Sequence, residues 1–225
     1  MIFDPLYLLM LAPALLLSLA AQIKVKSAYA RYSKVPASNG MSGAQVARRI
    51  LDAEGLNSVP VELVPGTLTD HYDPSKRVLR LSEGVYRGKS VAAAGIAAHE
   101  VGHAIQHSRS YAPLVLRTTL VPLAQLGSNL SWILIMIGFF VSMTELVWAG
   151  IALFGAAVLF TIVTLPVEFN ASSRAKEDLP RLGLVGAGDT SGVNSVLNAA
   201  AMTYVAAAIT AILQLVYFIF RASRD

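Results

Sequence analysis

The stretch TTLVPLAQLGSNLSWILIMIGFFVSMTELVWAGIALFGAAVLFTIVTLPV, residues 118–167, decides the fold class. It carries a single charge, Glu145, near its middle. A helix needs roughly 20 mostly apolar residues to cross a bilayer. The stretch therefore reads as two membrane spans, Leu126–Met143 and Val147–Pro166, joined by a tight turn at 144–146. Two further charge-free stretches, 5–23 and 190–220, give one span each, Leu6–Ile23 and Ala199–Phe220. One buried core helix could imitate such a window, but four in 225 residues do not fit a soluble domain.

Composition points the same way. The chain is 55% hydrophobic and 14% charged, with mean hydropathy +0.57, where a soluble domain carries about 25% charge. Such apolarity excludes a disordered chain. The absence of cysteine excludes disulfides, a thiol nucleophile and a cysteine-ligated metal. The first window has Asp4 ahead of it and Lys24, Lys26, Arg31 and Lys34 behind it. A cleaved signal peptide has its basic residues in front, so this reads as a retained helix.

The charges define the rest of the organisation. Of 32 charged residues, 20 lie in 24–117 and 7 in 168–189, and these two segments hold 16 of the 18 Lys and Arg. With four spans both segments share one side, which the positive-inside rule makes cytoplasmic. The expected divisions are 1–23, the first membrane helix; 24–117, a cytoplasmic region; 118–167, a membrane hairpin; 168–198, a second cytoplasmic segment; and 199–225, the last membrane helix and tail. The expected place is the cell membrane, multi-pass, with the lipid bilayer as partner. Orientation and contact with anionic lipid account for the net charge of +4, so no nucleic-acid partner is expected.

Within 24–117, Ser42 caps a predicted helix over 43–54, ended by Gly55. Val61–Val64, Thr67–Tyr72 and Arg77–Leu81 read as three short strands of a small β meander, with turns at Pro65-Gly66 and Asp73–Lys76. A second helix starts near Ser90 and runs through Ala92–His107. It contains HEVGHAIQH, residues 99–107, with three of the chain's four histidines. His99 and His103 are four apart, which places both imidazoles on one face, one turn apart. That spacing suits two ligands of one Zn²⁺, with Glu100 beside them as general base for a hydrolytic water.

A catalytic zinc site needs a third protein ligand. His107 extends the stripe, but it lies about 12 Å from His99 along a straight helix, too far for one ion to take both easily. Glu168 stands at the end of a charge-free span, where a carboxylate is costly unless paired or metal-bound. Its other reading is an interfacial residue that opens a cytoplasmic helix. Three further residues are candidates for substrate or transition-state contacts. His71 lies in Asp70-His71-Tyr72-Asp73, which is equally good turn chemistry. Arg174 suits an oxyanion or a membrane-edge anchor. Tyr204 suits a donor to the transition state or an interfacial aromatic.

The segments LTDHYDPSKRVLRLSEGVY (68–86), SVAAAGIAAHEVGHAIQH (90–107), LPVEFNASSRA (165–175) and AMTYVAAA (201–208) together resemble the YugP-like membrane zinc metallopeptidases. The resemblance implies a gluzincin site, with His99, His103 and Glu168 as zinc ligands and Glu100 as base. The distantly similar HtpX-like proteases place an Asp four residues after the glutamate. Here that position is Ser172, which leaves Ser172 or Asn170 as neutral hydrogen-bonding substitutes.

The expected fold is a mainly α membrane protein: about four transmembrane helices and a zincin-like cytoplasmic metal-site region with the small meander. The expected activity is zinc-dependent hydrolysis of peptide bonds in unfolded or membrane-adjacent polypeptides. One exposed edge among 61–72 is expected to add such a chain as an extra strand. The alternative is a membrane scaffold or transport protein with a structural metal site. The intact Glu100 argues against it, because a structural site has no use for a base.

Overall fold

The computed structural model describes residues 5–224; Asp4 and Asp225 lie outside the described residues. Seven helices and three strands follow in the order α1 (Pro5–Tyr32), α2 (Gly43–Ala53), β1 (Val61–Val64), β2 (His71–Asp73), β3 (Val78–Ser82), α3 (Glu83–Tyr86), α4 (Val91–Ser108), α5 (Ala112–Phe140), α6 (Thr144–Arg181) and α7 (Thr190–Ala222). The described residues fall into two compact units: 5–22, 112–166 and 203–224 in one, 23–111 and 167–202 in the other.

The first unit holds the apolar parts of α1, α5, α6 and α7, which among the described residues are the four helices long and apolar enough to span a membrane. All four predicted spans fall on them, though α5 ends at Phe140, three residues before the predicted end. A turn with Ser142 at φ +56° joins α5 to α6. The two helices approach closely at glycines. A Cβ on Gly127 would stand 2.5 Å from the Leu153 carbonyl oxygen, and one on Gly150 would stand 2.9 Å from that of Ser131. Small residues permit such backbone approach where no hydrophobic force holds helices together. Phe218 anchors the aromatic core, edge-on to Trp132 at 5.1 Å and to Phe154 at 5.7 Å.

The second unit is built around α4. The Ser90 hydroxyl caps the helix by accepting from the Ala93 N–H. The helix is apolar on nearly every side, and a helix of that kind belongs at the centre of a core. It packs with Val46, Ile50 and Leu51 of α2, Leu79 and Leu81 of β3, Ala175 and Leu179 of α6, and Val193 and Leu197 of α7. Ser42 and Gln45 close a full capping box at the start of α2.

The three strands are not a meander. The sheet order is β1-β3-β2, with β1 parallel and β2 antiparallel to β3. Burial decides the order. In β3 every residue but Arg80 is buried, so it takes the centre, while the less buried β1 and β2 take the edges. The second strand covers only His71–Asp73, because the segment before it bends: Leu68 has φ +57°, and Asp70 turns inward to accept from the Ser82 N–H at 2.7 Å.

The contact that positions the site lies between α4 and the end of α6. A Cβ on Gly102 would stand 2.9 Å from the Ala171 carbonyl oxygen and 3.0 Å from its Cα. Neither backbone atom can rotate away. Gly102→Ala is therefore expected to push the helices apart, to cost about 1–3 kcal/mol and to weaken metal binding. Thermal unfolding in detergent and zinc content of the purified variant measure both effects.

Candidate metal centre

His99 and His103 project from the same face of α4, and Glu168 reaches them from α6. All three belong to the second unit. The Glu168 Oε2 lies 3.2 Å from the His99 Nε2 and 3.6 Å from the His103 Nε2. One ligand atom from each residue falls within 4.8 Å of the others. The imidazole rings stand nearly perpendicular, with centroids 4.9 Å apart. Glu168 is buried, with 2% of its surface exposed.

The far side of each imidazole is also held. The His99 Nδ1 lies 3.1 Å from the Ser172 Oγ. The His103 Nδ1 lies 3.0 Å from the Gln106 Oε1. The Gln106 Nε2 donates to the Val167 carbonyl oxygen at 2.8 Å and to the Asn170 Oδ1 at 3.0 Å, which leaves Oε1 as the acceptor. His103 must then donate from Nδ1 and keep its Nε2 lone pair for the site. Arg174 extends the chain of bonds, its Nε donating to the Asn170 Oδ1 at 2.9 Å.

Two imidazole nitrogens and a buried carboxylate oxygen thus face one another, and such a set needs a cation among them. A proton on an imidazole is one such cation. Burial works against a charge on His103, but Glu168, with Glu100 behind it, outweighs burial and raises the imidazole pKa above its ordinary value. A divalent metal is the better fit. Zinc with bonds of about 2.0–2.2 Å holds tetrahedral ligand atoms roughly 3.4 Å apart, and the two His–Glu separations bracket that value. Glu100 follows His99 on α4, half-buried and not among the three converging donors.

The remaining candidates lie elsewhere. His107 faces Tyr72, its Nδ1 2.9 Å from the phenol oxygen, and does not join the set. His71 is exposed, and its Nδ1 lies 2.8 Å from the Thr69 carbonyl oxygen. Asp73 makes turn bonds, accepting from the N–H groups of Ser75 and Lys76. Arg174 reaches Asn170, as above. Tyr204 stands on the part of α7 that belongs to the membrane unit. Of the two proposed neutral substitutes, Ser172 contacts a histidine directly and Asn170 acts at one remove. Sequence reasoning missed Gln106. A polar residue three positions past His103 on an otherwise apolar helix was the available signal, since i and i+3 are neighbours on a helix surface.

Comparison with known proteins gives the family. The family described as "Putative neutral zinc metallopeptidase" matches residues 7–223. The chain belongs to that family. It is also 52% identical over 222 residues to the "Putative membrane protease YugP" of Bacillus subtilis (strain 168), covering 98% of this chain and 99% of that one. No solved structure matches. The family resemblance of the four sequence segments is therefore borne out across nearly the whole chain, and it names the metal for which the three donors are suited.

Gln106→Leu keeps the volume of the side chain but removes the acceptor for His103. Zinc affinity is expected to fall about 10–100-fold, with the helical content unchanged. Competition with a chromophoric chelator and circular dichroism measure the two.

Proposed function

We propose that this protein is a zinc-dependent membrane metalloendopeptidase. The observation that carries the proposal is the convergence of His99, His103 and Glu168 on one point, with Glu100 next to them and outside the ligand set. Zinc bound there supplies a Lewis acid for the scissile carbonyl and makes a water easier to deprotonate. The Glu100 carboxylate takes the proton from the attacking water and later gives it to the leaving amine. Ser172 and Gln106 hold the Nδ1 side of the two imidazoles, so that both Nε2 atoms stay aimed at the site.

The proposed substrates are polypeptides in an extended state, from unfolded or membrane-adjacent chains. The support is the sheet order, which leaves both β1 and β2 with an unpaired edge. Of the two, β2 touches α4 through Tyr72 and His107. A strand laid along such an edge gains backbone hydrogen bonds that do not depend on its sequence.

Glu100→Gln is expected to retain zinc and to lose hydrolysis by about 10²–10⁴-fold, the usual share of a general base. Metal content and cleavage of a fluorogenic peptide, taken on the same preparation, test this. Near-normal turnover in the variant would remove Glu100 as the base, and a metal site with no peptidase activity in the wild type would favour a structural role.

We further propose that the metal site faces the cytoplasm. The support is the partition of Lys and Arg, 16 of 18 in the two segments that flank the site. Arg221 and Arg224, at the end of α7, are placed on the outer side, where their long side chains can reach lipid headgroups. A reporter active only in the cytoplasm is expected to be silent when fused after Asp225. A cysteine placed at Ser75, in a chain that has none of its own, is expected to resist impermeant labels on intact cells.

A further inference from the structure

α5 carries two carboxamides that the bundle does not use. Gln125 and Asn129 are exposed, one helical turn apart, within the charge-free stretch 118–144. Among the described residues neither has a hydrogen-bond partner on its side chain. Their depth follows from the packing partner of α5. Gly127, between them, packs against Leu153 and Ala157, close to the middle of the charge-free part of α6, 146–167. At that depth the span of α5 begins ahead of the sequence-predicted Leu126, within the charge-free residues after Arg117, and the two carboxamides lie inside the bilayer, where an unpaired polar group is costly.

The helix geometry forbids a partner within the bundle. α5 packs inward through Ala124, Gly127, Ser131, Ile135 and Gly138. Asn129 lies about 160° around the helix from Ser131, so it points away from that face. On the outward face stand Pro122, Leu126, Asn129, Ile133, Met136 and Phe140, all exposed. Their spacing is 4-3-4-3-4, the seam of a left-handed helix pair, with one polar residue near its centre and Gln125 beside it.

We propose that this face of α5 is the contact between two copies of this chain in the membrane, and that Asn129, flanked by Gln125, fixes its register. Three features point to a second copy. A carboxamide is both donor and acceptor, so it complements itself. Copies inserted in one orientation place their α5 helices parallel, which sets residue 129 opposite 129 and 125 opposite 125 without further adjustment. A seam with a single central Asn selects register and partner number in parallel helix pairs. The proposal stands on the membrane unit alone and does not depend on the peptidase reading.

The test uses full-length protein in native membranes and the natural lack of cysteine. Leu126→Cys and Ile133→Cys place a thiol on the seam; Leu159→Cys, exposed on α6, places one off it. Oxidation is expected to link two copies through position 126 or 133 and not through 159. Adding Gln125→Leu and Asn129→Leu is expected to lower the linked fraction roughly tenfold, the effect of losing a buried interhelical hydrogen bond pair. Energy transfer between labelled copies diluted in phosphatidylcholine vesicles reads the same association without any change to the carboxamides. Circular dichroism of the purified variants and membrane yield report whether the Leu variants still fold, and Gln125→Ala with Asn129→Ala replaces them if they do not. The proposal is overturned if no position links, if 159 links as well as 126, if the linked fraction ignores the loss of both carboxamides, or if the thiols link this chain to a different membrane helix instead.

Discussion

A carboxylate buried against two imidazoles sets the terms for the rest of this molecule. Glu168 is held on α6 just past an apolar run, and the His99 and His103 Nε2 atoms come to it from α4. Charge in such a place is tolerable only when it is shared. That requirement explains the close approach at Gly102 and Ala171, which no larger residue at 102 would permit. It also explains why the core of the second unit is poor in large side chains along α4. Alanines and glycines there let α2, β3, α6 and α7 close on one helix and leave the imidazoles in a single orientation.

Much of this was legible in the sequence, for reasons that differ from element to element. The four spans are long and their hydropathy is strong, so a count of charges suffices to find them. The histidine spacing on α4 is fixed by helical periodicity and needs no tertiary information. Glu168 was visible because a charge at the end of an apolar span demands an explanation. The sheet was less legible. Strands of three to five residues carry little pattern, and which strand becomes central depends on what covers it, here α4 on β3. Gln106 escaped notice because its role exists only when Val167 and Asn170 are brought against it from another helix.

The parts of the chain answer to different solvents. In the membrane unit, contact rests on glycines and on edge-to-face aromatic rings, since lipid offers no hydrophobic drive to association. In the second unit, burial of Ile50, Leu51, Leu79, Leu81 and Ile105 is available as a driving force. Ion pairs appear at its margin, where Arg109 and Arg181 both reach Glu54. Surface pairs of that sort add little stability one by one, but here one acidic residue joins the ends of three helices.

The two groups that hold the imidazoles from behind, the Ser172 hydroxyl and the Gln106 amide, are both neutral. With a dication among the three donors, the Glu168 and Glu100 carboxylates supply two negative charges and the centre as a whole is neutral. Acidic groups behind the histidines would leave a net negative charge in a region where Glu168 is already shut away from water. They would also draw on the imidazole protons and make the rings stronger electron donors. Neutral partners do neither, so an ion held by these three donors would keep more of its own positive charge.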